Sequence, residues 1–276
     1  MSDDPGVAGM DFFDAHCHLQ DARLVRSGWE TTPGLPQIAA QVVNGTGPDD
    51  WGAVRECASI GTGRILRAYG VHPWKVGNLP KNWEEQLRGF LKSGAVSIGE
   101  IGLDNWIEPR DPDLQREVFL RQLEICSELR LPPSIHCVRA WGVLLDCLGS
   151  GPELETGFLV HGFSGSIEVL DQLLDLGGSV SFSAYGADPG RSSIRKAVRR
   201  CPVDRILAET DAPDMVPLEE CCCFSILDGQ GHRLHHPAEI STAYRYLAEW
   251  RKESPVQLME RISDNFRRLF GGPSAN

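Results

Sequence analysis

Short apolar runs alternate with longer amphipathic stretches along the chain. The runs fall at residues 12–15, 41–44, 68–71, 96–99, 133–136, 158–161, 179–182 and 206–209. Each is too short for a helix and reads as a buried parallel strand. Between them, residues 113–129 place Leu114, Val118, Leu123 and Ile125 near a 3.6-residue period among Arg and Glu, which predicts a helix with one apolar stripe. A second helix is expected over 167–176, after the cap-like Ser164-Gly165-Ser166 and before Gly177-Gly178. Residues 241–270 read as helical again, with Tyr246, Leu247 and Trp250 as an apolar face. Strand and helix alternating about eight times predict an α/β fold, a single (β/α)8 TIM barrel, with a doubly wound open sheet as the competitor. Residues 214–236 break the alternation. They carry Pro217, Gly229, Gly231 and the consecutive Cys221, Cys222 and Cys223, and are expected to lie over the rim as a loop or partial lid.

Length fits that picture. The chain has 276 residues and 41% hydrophobic content, and single barrels run to about 250 residues. No linker-like tract divides it, so residues 1–276 are read as one domain with 214–236 inserted. The net charge of −11 gives no general attraction to nucleic acid or anionic lipid. Two bound divalent ions would still make a local cationic centre. The nine cysteines are odd in number and irregularly spaced, which reads as free thiols of a reducing cytosol or nucleus. The first ten residues, MSDDPGVAGM, have no apolar core and do not read as a secretory leader. No apolar run approaches the roughly 20 residues that cross a bilayer. A soluble cytoplasmic or nuclear protein is expected, with no membrane contact and no obligate protein partner.

The chemistry is written where the strands are expected to end. The first leads into His16-Cys17-His18, the fourth into Glu100, the fifth ends at His136, the sixth at His161, and the eighth leads into Asp211. In a barrel the strand C-termini share one face, so these groups should converge. His16 and His18 stand two apart in an extended segment, project to one side, and can chelate one ion together. Four imidazoles and two carboxylates suit Zn, Mn, Fe, Co or, less well, Mg. They are too many for one ion with open positions and suit two ions bridged by a carboxylate.

These residues sit in motifs that resemble a known family. Asp14-Ala15-His16-Cys17-His18-Leu19, Gly70-Val71-His72-Pro73, Gly99-Glu100-Ile101-Gly102-Leu103-Asp104, His161-Gly162-Phe163-Ser164-Gly165-Ser166, Glu209-Thr210-Asp211-Ala212-Pro213 and Asn265-Phe266-Arg267-Arg268-Leu269-Phe270 follow one another in the order of TatD-type metal-dependent deoxyribonucleases, a branch of the amidohydrolase superfamily. The resemblance implies a metal-dependent hydrolase that cleaves phosphodiester bonds at DNA ends with a two-metal-activated water. It implies that His16 and His18 hold one divalent ion (Zn, Mn, Mg or Fe), that His136 and His161 hold the other, and that Glu100 bridges them. Asp211 would ligate the first ion and act as general base. His72 is expected in the substrate pocket or beside the ligands, with a packed core histidine as the alternative. Glu209 is expected to buttress a histidine or a loop amide. The amides around Ser164 can take a phosphate or merely cap a helix. Three departures touch the substrate region. Cys137-Val138-Arg139-Ala140 stands where the family often has x-Arg-Asp-Ala, His235-His236-Pro237 where it has Asn-Glu-Pro, and Asn105 precedes Trp106 where aromatics are usual. They put His235 or His236 toward substrate and keep a second reading open, a hydrolase of a small amide, lactone or phosphoester.

Overall fold

The computed structural model describes residues 11–57 and 64–271. The decapeptide read above as no leader lies outside them. Eight strands appear in chain order: β1 (Phe12–Cys17), β2 (Ile38–Asn44), β3 (Arg64–Ala68), β4 (Ile98–Asp104), β5 (Pro133–Val138), β6 (Phe158–Val160), β7 (Gly178–Phe182) and β8 (Ile206–Ala208). They pair in parallel with their sequence neighbours, as β1-β2-β3 and β4-β5-β6-β7-β8. Main-chain hydrogen bonds join these two runs at both seams. Val96 N donates to Arg67 O at 2.9 Å and Gly99 N to Tyr69 O at 3.1 Å. At the other seam Asp211 N donates to His16 O at 2.9 Å and His18 N to Ala212 O at 2.8 Å. The ring closes, and the fold is the TIM barrel that the alternation predicts.

Asp14 reinforces the second seam. Its carboxylate accepts from Thr210 N at 3.0 Å, Thr210 Oγ1 at 2.6 Å and His16 N at 3.2 Å. Burial nevertheless pushes this carboxyl up to about 7, against the three donors.

Helices follow the strands: α1 (Ala22–Val25), α2 (Trp51–Glu56), α3 (Trp83–Leu91), α4 (Pro112–Leu129), α5 (Trp141–Ser150), α6 (Ile167–Asp175) and α7 (Ser192–Arg200). The expected helix over 113–129 is α4, capped by the Asp111 side chain with Pro112 in its first turn. The tail is two helices rather than one, α8 (Ile240–Arg251) and α9 (Pro255–Phe270). Lys252 turns left-handed at φ 57° and Pro255 starts the next helix, so the break is written in Ser254-Pro255.

Two strands lie off their expected positions. The third was expected at 68–71 and occupies 64–68. It carries Arg64 and Arg67, so it is no continuous apolar run and its start was hidden. Residues beyond it leave the ladder at Gly70, where a Cβ would meet Glu100 O at 2.8 Å. The fourth was expected at 96–99 and runs over 98–104. Glu100 and His136 therefore sit inside β4 and β5, not at their ends, because that pairing continues to Asp104 opposite Val138.

α9 covers the opposite end of the barrel from these groups. Phe266 and Phe270 pack with Phe13, Leu159 and Leu207 from three strands, and the rings of Phe13 and Phe266 are 4.9 Å apart. Asn265 Nδ2 donates to Val203 O and Ile206 O, each at 2.8 Å, tying the helix to the entry of β8. The segment 214–236 is not wholly irregular. It contains a short antiparallel ribbon, β9 (Ile226–Leu227) with β10 (Arg233–Leu234). All nine cysteines are free and seven are buried. Among the described residues no helix is long and apolar enough to cross a membrane.

Candidate metal centre

The barrel brings His16, His18, Glu100, His136, His161 and Asp211 together. Three overlapping groups have ligating atoms within 4.8 Å of one another: His16, Glu100 and His161; His16, His18 and Asp211; and His72, Glu100 and His136. Glu100 is the hub, and its two oxygens face different partners. Oε2 lies 3.2 Å from His18 Nε2 and 3.6 Å from His16 Nε2. Oε1 lies 3.0 Å from His136 Nδ1 and 2.8 Å from His161 Nε2. Asp211 Oδ1 adds to the first side, 3.4 Å from His18 Nε2 and 3.6 Å from His16 Nε2.

The outer ring nitrogens decide what the inner ones can do. His18 Nδ1 is 2.8 Å from Asn44 O. A carbonyl only accepts, so Nδ1 carries a proton and Nε2 is the atom whose lone pair faces inward in the neutral ring. His136 is held the other way round: Asp104 Oδ2 takes the proton of Nε2 at 3.1 Å and leaves Nδ1 facing Glu100. His161 Nδ1 points at Glu209 Oε1, 3.8 Å away, and has no closer partner. His16 Nδ1 is 3.0 Å from Ser134 Oγ. For His16, His18 and His136 an outer partner thus orients the ring and leaves the inward nitrogen as a metal-type donor, while Glu209 only faces His161.

His72 is the exception, although it lies within the same reach. Its Nδ1 accepts from Trp74 N at 3.2 Å, so the neutral ring carries its proton on Nε2. That proton points at Glu100 Oε1, 3.5 Å away. His72 is therefore a hydrogen-bond donor beside the cluster, not a ligand. Burial drives its pKa down to about 4, which keeps the ring neutral.

The charges balance only with help. Burial opposes ionisation of Glu100, yet the surrounding histidines hold its carboxyl well below the usual range. Asp211 is lowered by the same histidines against the same penalty. In return, these carboxylates draw protons onto buried His18 and His161, whose pKa values rise well above the usual. A divalent cation on the inward nitrogens would replace those protons. The donor set therefore fits hard-to-borderline divalent ions.

The other expected site residues are scattered. His235 is buried beside the cluster, with Nδ1 3.1 Å from Asp214 O and Nε2 unpartnered. His236 does not face the mouth. Its Nδ1 accepts from Ala238 N at 3.0 Å, its Nε2 meets Thr32 Oγ1 at 3.1 Å, and its ring stacks on Phe224. Both nitrogens are engaged in holding the rim segment, which leaves none for substrate. Ser164 is exposed and outside the cluster; Ser166 caps α6 instead. Glu209 accepts from Gly162 N at 2.7 Å while facing His161.

Asp104 carries more than the sequence suggested. Its Oδ1 accepts from Trp106 N at 2.6 Å, and its Oδ2 takes both His136 Nε2 and Trp74 Nε1, the latter at 2.8 Å. The signal was present: Glu100, Gly102 and Asp104 are alternate residues of one strand and line one face. Gly102 between them has no room for a side chain, since a Cβ there would lie 2.0 Å from His136 O.

A family profile described as TatD related DNase matches residues 13–271. The chain belongs to the TatD-related DNase family. It is a metal-dependent hydrolase acting on ester bonds, and family membership sets aside the amide or lactone hydrolase reading. The chain is 29% identical over 231 residues to the 3'-5' ssDNA/RNA exonuclease TatD of Yersinia pseudotuberculosis, covering 83% of this chain and 86% of the relative. It is 28% identical to an uncharacterized metal-dependent hydrolase, YcfH, of Escherichia coli K12, covering 95% and 96%. The crystal structure of the TatD homologue YjjV from Escherichia coli K12 superposes with a TM-score of 0.82 at 25% identity, covering 95% of this chain and 98% of that one.

Proposed function

We propose that the chain is a two-metal exonuclease that removes nucleotides from single-stranded DNA or RNA ends. His16, His18 and Asp211 would hold one divalent ion and His136 and His161 the other, with Glu100 offering an oxygen to each. The division of Glu100, one oxygen toward each histidine pair, carries this assignment. The substrate class draws on the Yersinia relative, whose name gives single-stranded DNA and RNA and the 3'-5' direction. When bound, such ions acidify water and neutralise phosphoryl oxygens.

The protein's own groups do the rest. Asp211 meets His16 and His18 through Oδ1, so Oδ2 is the atom placed to accept the proton of the attacking water. The water oxygen bonds to phosphorus, the bond to the departing nucleoside oxygen breaks, and that oxygen takes a proton from bulk water. Asn44, Ser134 and Asp104 orient His18, His16 and His136, and Glu209 faces His161 from behind. His72, neutral and proton-bearing at Nε2, donates toward Glu100 or a substrate oxygen.

Metal analysis together with end-labelled DNA and RNA tests the proposal. About two divalent ions per chain and stepwise shortening of single strands are expected. A protein that binds two ions but releases no nucleotide from either polymer would sink the substrate assignment. One ion at full activity would sink the bridged pair.

A further inference from the structure

Burial is the ordinary fate of a large aromatic side chain, and Trp29, Trp51 and Trp250 follow it. Trp74 and Trp106 do not. They are 50% and 61% exposed, the two aromatics among the exposed large hydrophobics of the described residues. Both are tethered to one buried carboxylate. Asp104 Oδ2 holds the Trp74 indole N–H and Asp104 Oδ1 holds the Trp106 main-chain N–H. The same Oδ2 holds His136. The Trp74 ring also stands edge-on to His72 at 4.9 Å and lies 6.5 Å from the His136 ring. The Trp74 indole is thus fixed at the lip of the metal centre, and Trp106 is anchored through its main chain to the same carboxylate with its indole exposed.

The charge balance sharpens the point. A chain of net charge −11 gains little from phosphate neutralisation, the usual source of non-specific affinity. Base stacking on aromatic faces is independent of that charge and tolerant of sequence. The Trp74 face, already held through its indole N–H, loses little freedom on binding.

We propose that Trp74 and Trp106 form a stacking platform for the unpaired bases next to the scissile linkage, with Asp104 as the residue that positions them. This rests on the nuclease reading above. It makes the unpaired base, as well as the phosphate, the feature that brings substrate to the site.

The test is binding by the holoenzyme to dye-labelled single-stranded oligonucleotides, followed by fluorescence anisotropy. One oligonucleotide carries bases throughout, and its match is abasic at the two terminal nucleotides; phosphorothioate terminal linkages slow cleavage. The wild type should favour the base-bearing end about tenfold. Trp106→Ala and Trp74→Ala should bring that ratio toward one, and Trp106→Phe should restore most of it. A wild-type ratio near one, or a tenfold ratio surviving in both alanine variants, would overturn the platform. A tenfold ratio that depends on Trp106, without hydrolysis of the ordinary phosphodiester strand, would uphold the platform and sink the nuclease reading instead.

Discussion

Asp211 sits at φ 58°, a left-handed conformation that Asp and Asn tolerate better than most side chains. Asn is therefore the informative substitution there. Asp211→Asn keeps the backbone, the size and one ligating oxygen, and removes the basicity. It should fold, retain at least one ion by elemental analysis, and lose roughly 10²–10⁴-fold in kcat, the usual contribution of general base assistance. Near-normal kcat with normal metal content would remove Asp211 from that role. At this scale the sequence was most informative about groups that stand at strand ends in recognisable company, such as His16, His18 and Asp211. It said little about Asp104, whose partners Trp74 and His136 lie 30 and 32 residues away and become neighbours only when β4 joins β3 on one side and β5 on the other. It misdirected His236, because a histidine's role depends on what each ring nitrogen touches, and no spacing encodes that.

That histidine matters at the scale of the rim segment. Burial lowers its pKa from 6.5 to about 4, so between those values the unfolded chain binds a proton that the folded chain refuses. The stability His236 contributes is complete above pH 6.5 and is lost as pH falls toward 4. The loss amounts to about 3 kcal/mol at most. His236→Asn keeps an acceptor for Ala238 N without the titration. Melting curves between pH 7 and 4.5 should therefore show a shallower decline for the variant. Parallel declines would mean that the ring is protonated as readily in the folded protein as outside it. Among the regular elements, the strands that read clearly were those apolar on both faces, such as the runs at 158–161 and 206–209. β3 was displaced in the reading because Arg64 and Arg67 interrupt its apolar run, and the tail helices were merged because apolar positions at helical spacing resume soon after Pro255.

For the whole molecule, chemistry and cohesion occupy opposite ends of the barrel. Phe266 is fully buried against Phe13 and Phe270 at the floor. Phe266→Ala should cost about 3–5 kcal/mol, visible as a lower melting temperature, while the metal content of the folded fraction stays as in wild type. Loss of metal without loss of stability would mean that the floor and the mouth are not separable. The barrel itself was legible because strand and helix alternate from end to end. Periodicity alone left an open sheet as the competitor to a closed barrel, since the seam between β8 and β1 is made by the polar Asp14, His16, Thr210 and Asp211. The seam also has a consequence in time. Phe13 exchanges main-chain hydrogen bonds with Tyr244 Oη at 3.2 and 3.1 Å across 231 residues of chain, and contacts between such distant residues slow folding. On a ribosome that emits the chain from its N-terminus, β1 emerges ahead of the other strands yet waits for the β8 segment and α8 before its second edge is covered, and for α9 before its floor is. During that wait Phe12 and Phe13 are open to whatever else in the cell binds unpaired apolar strands.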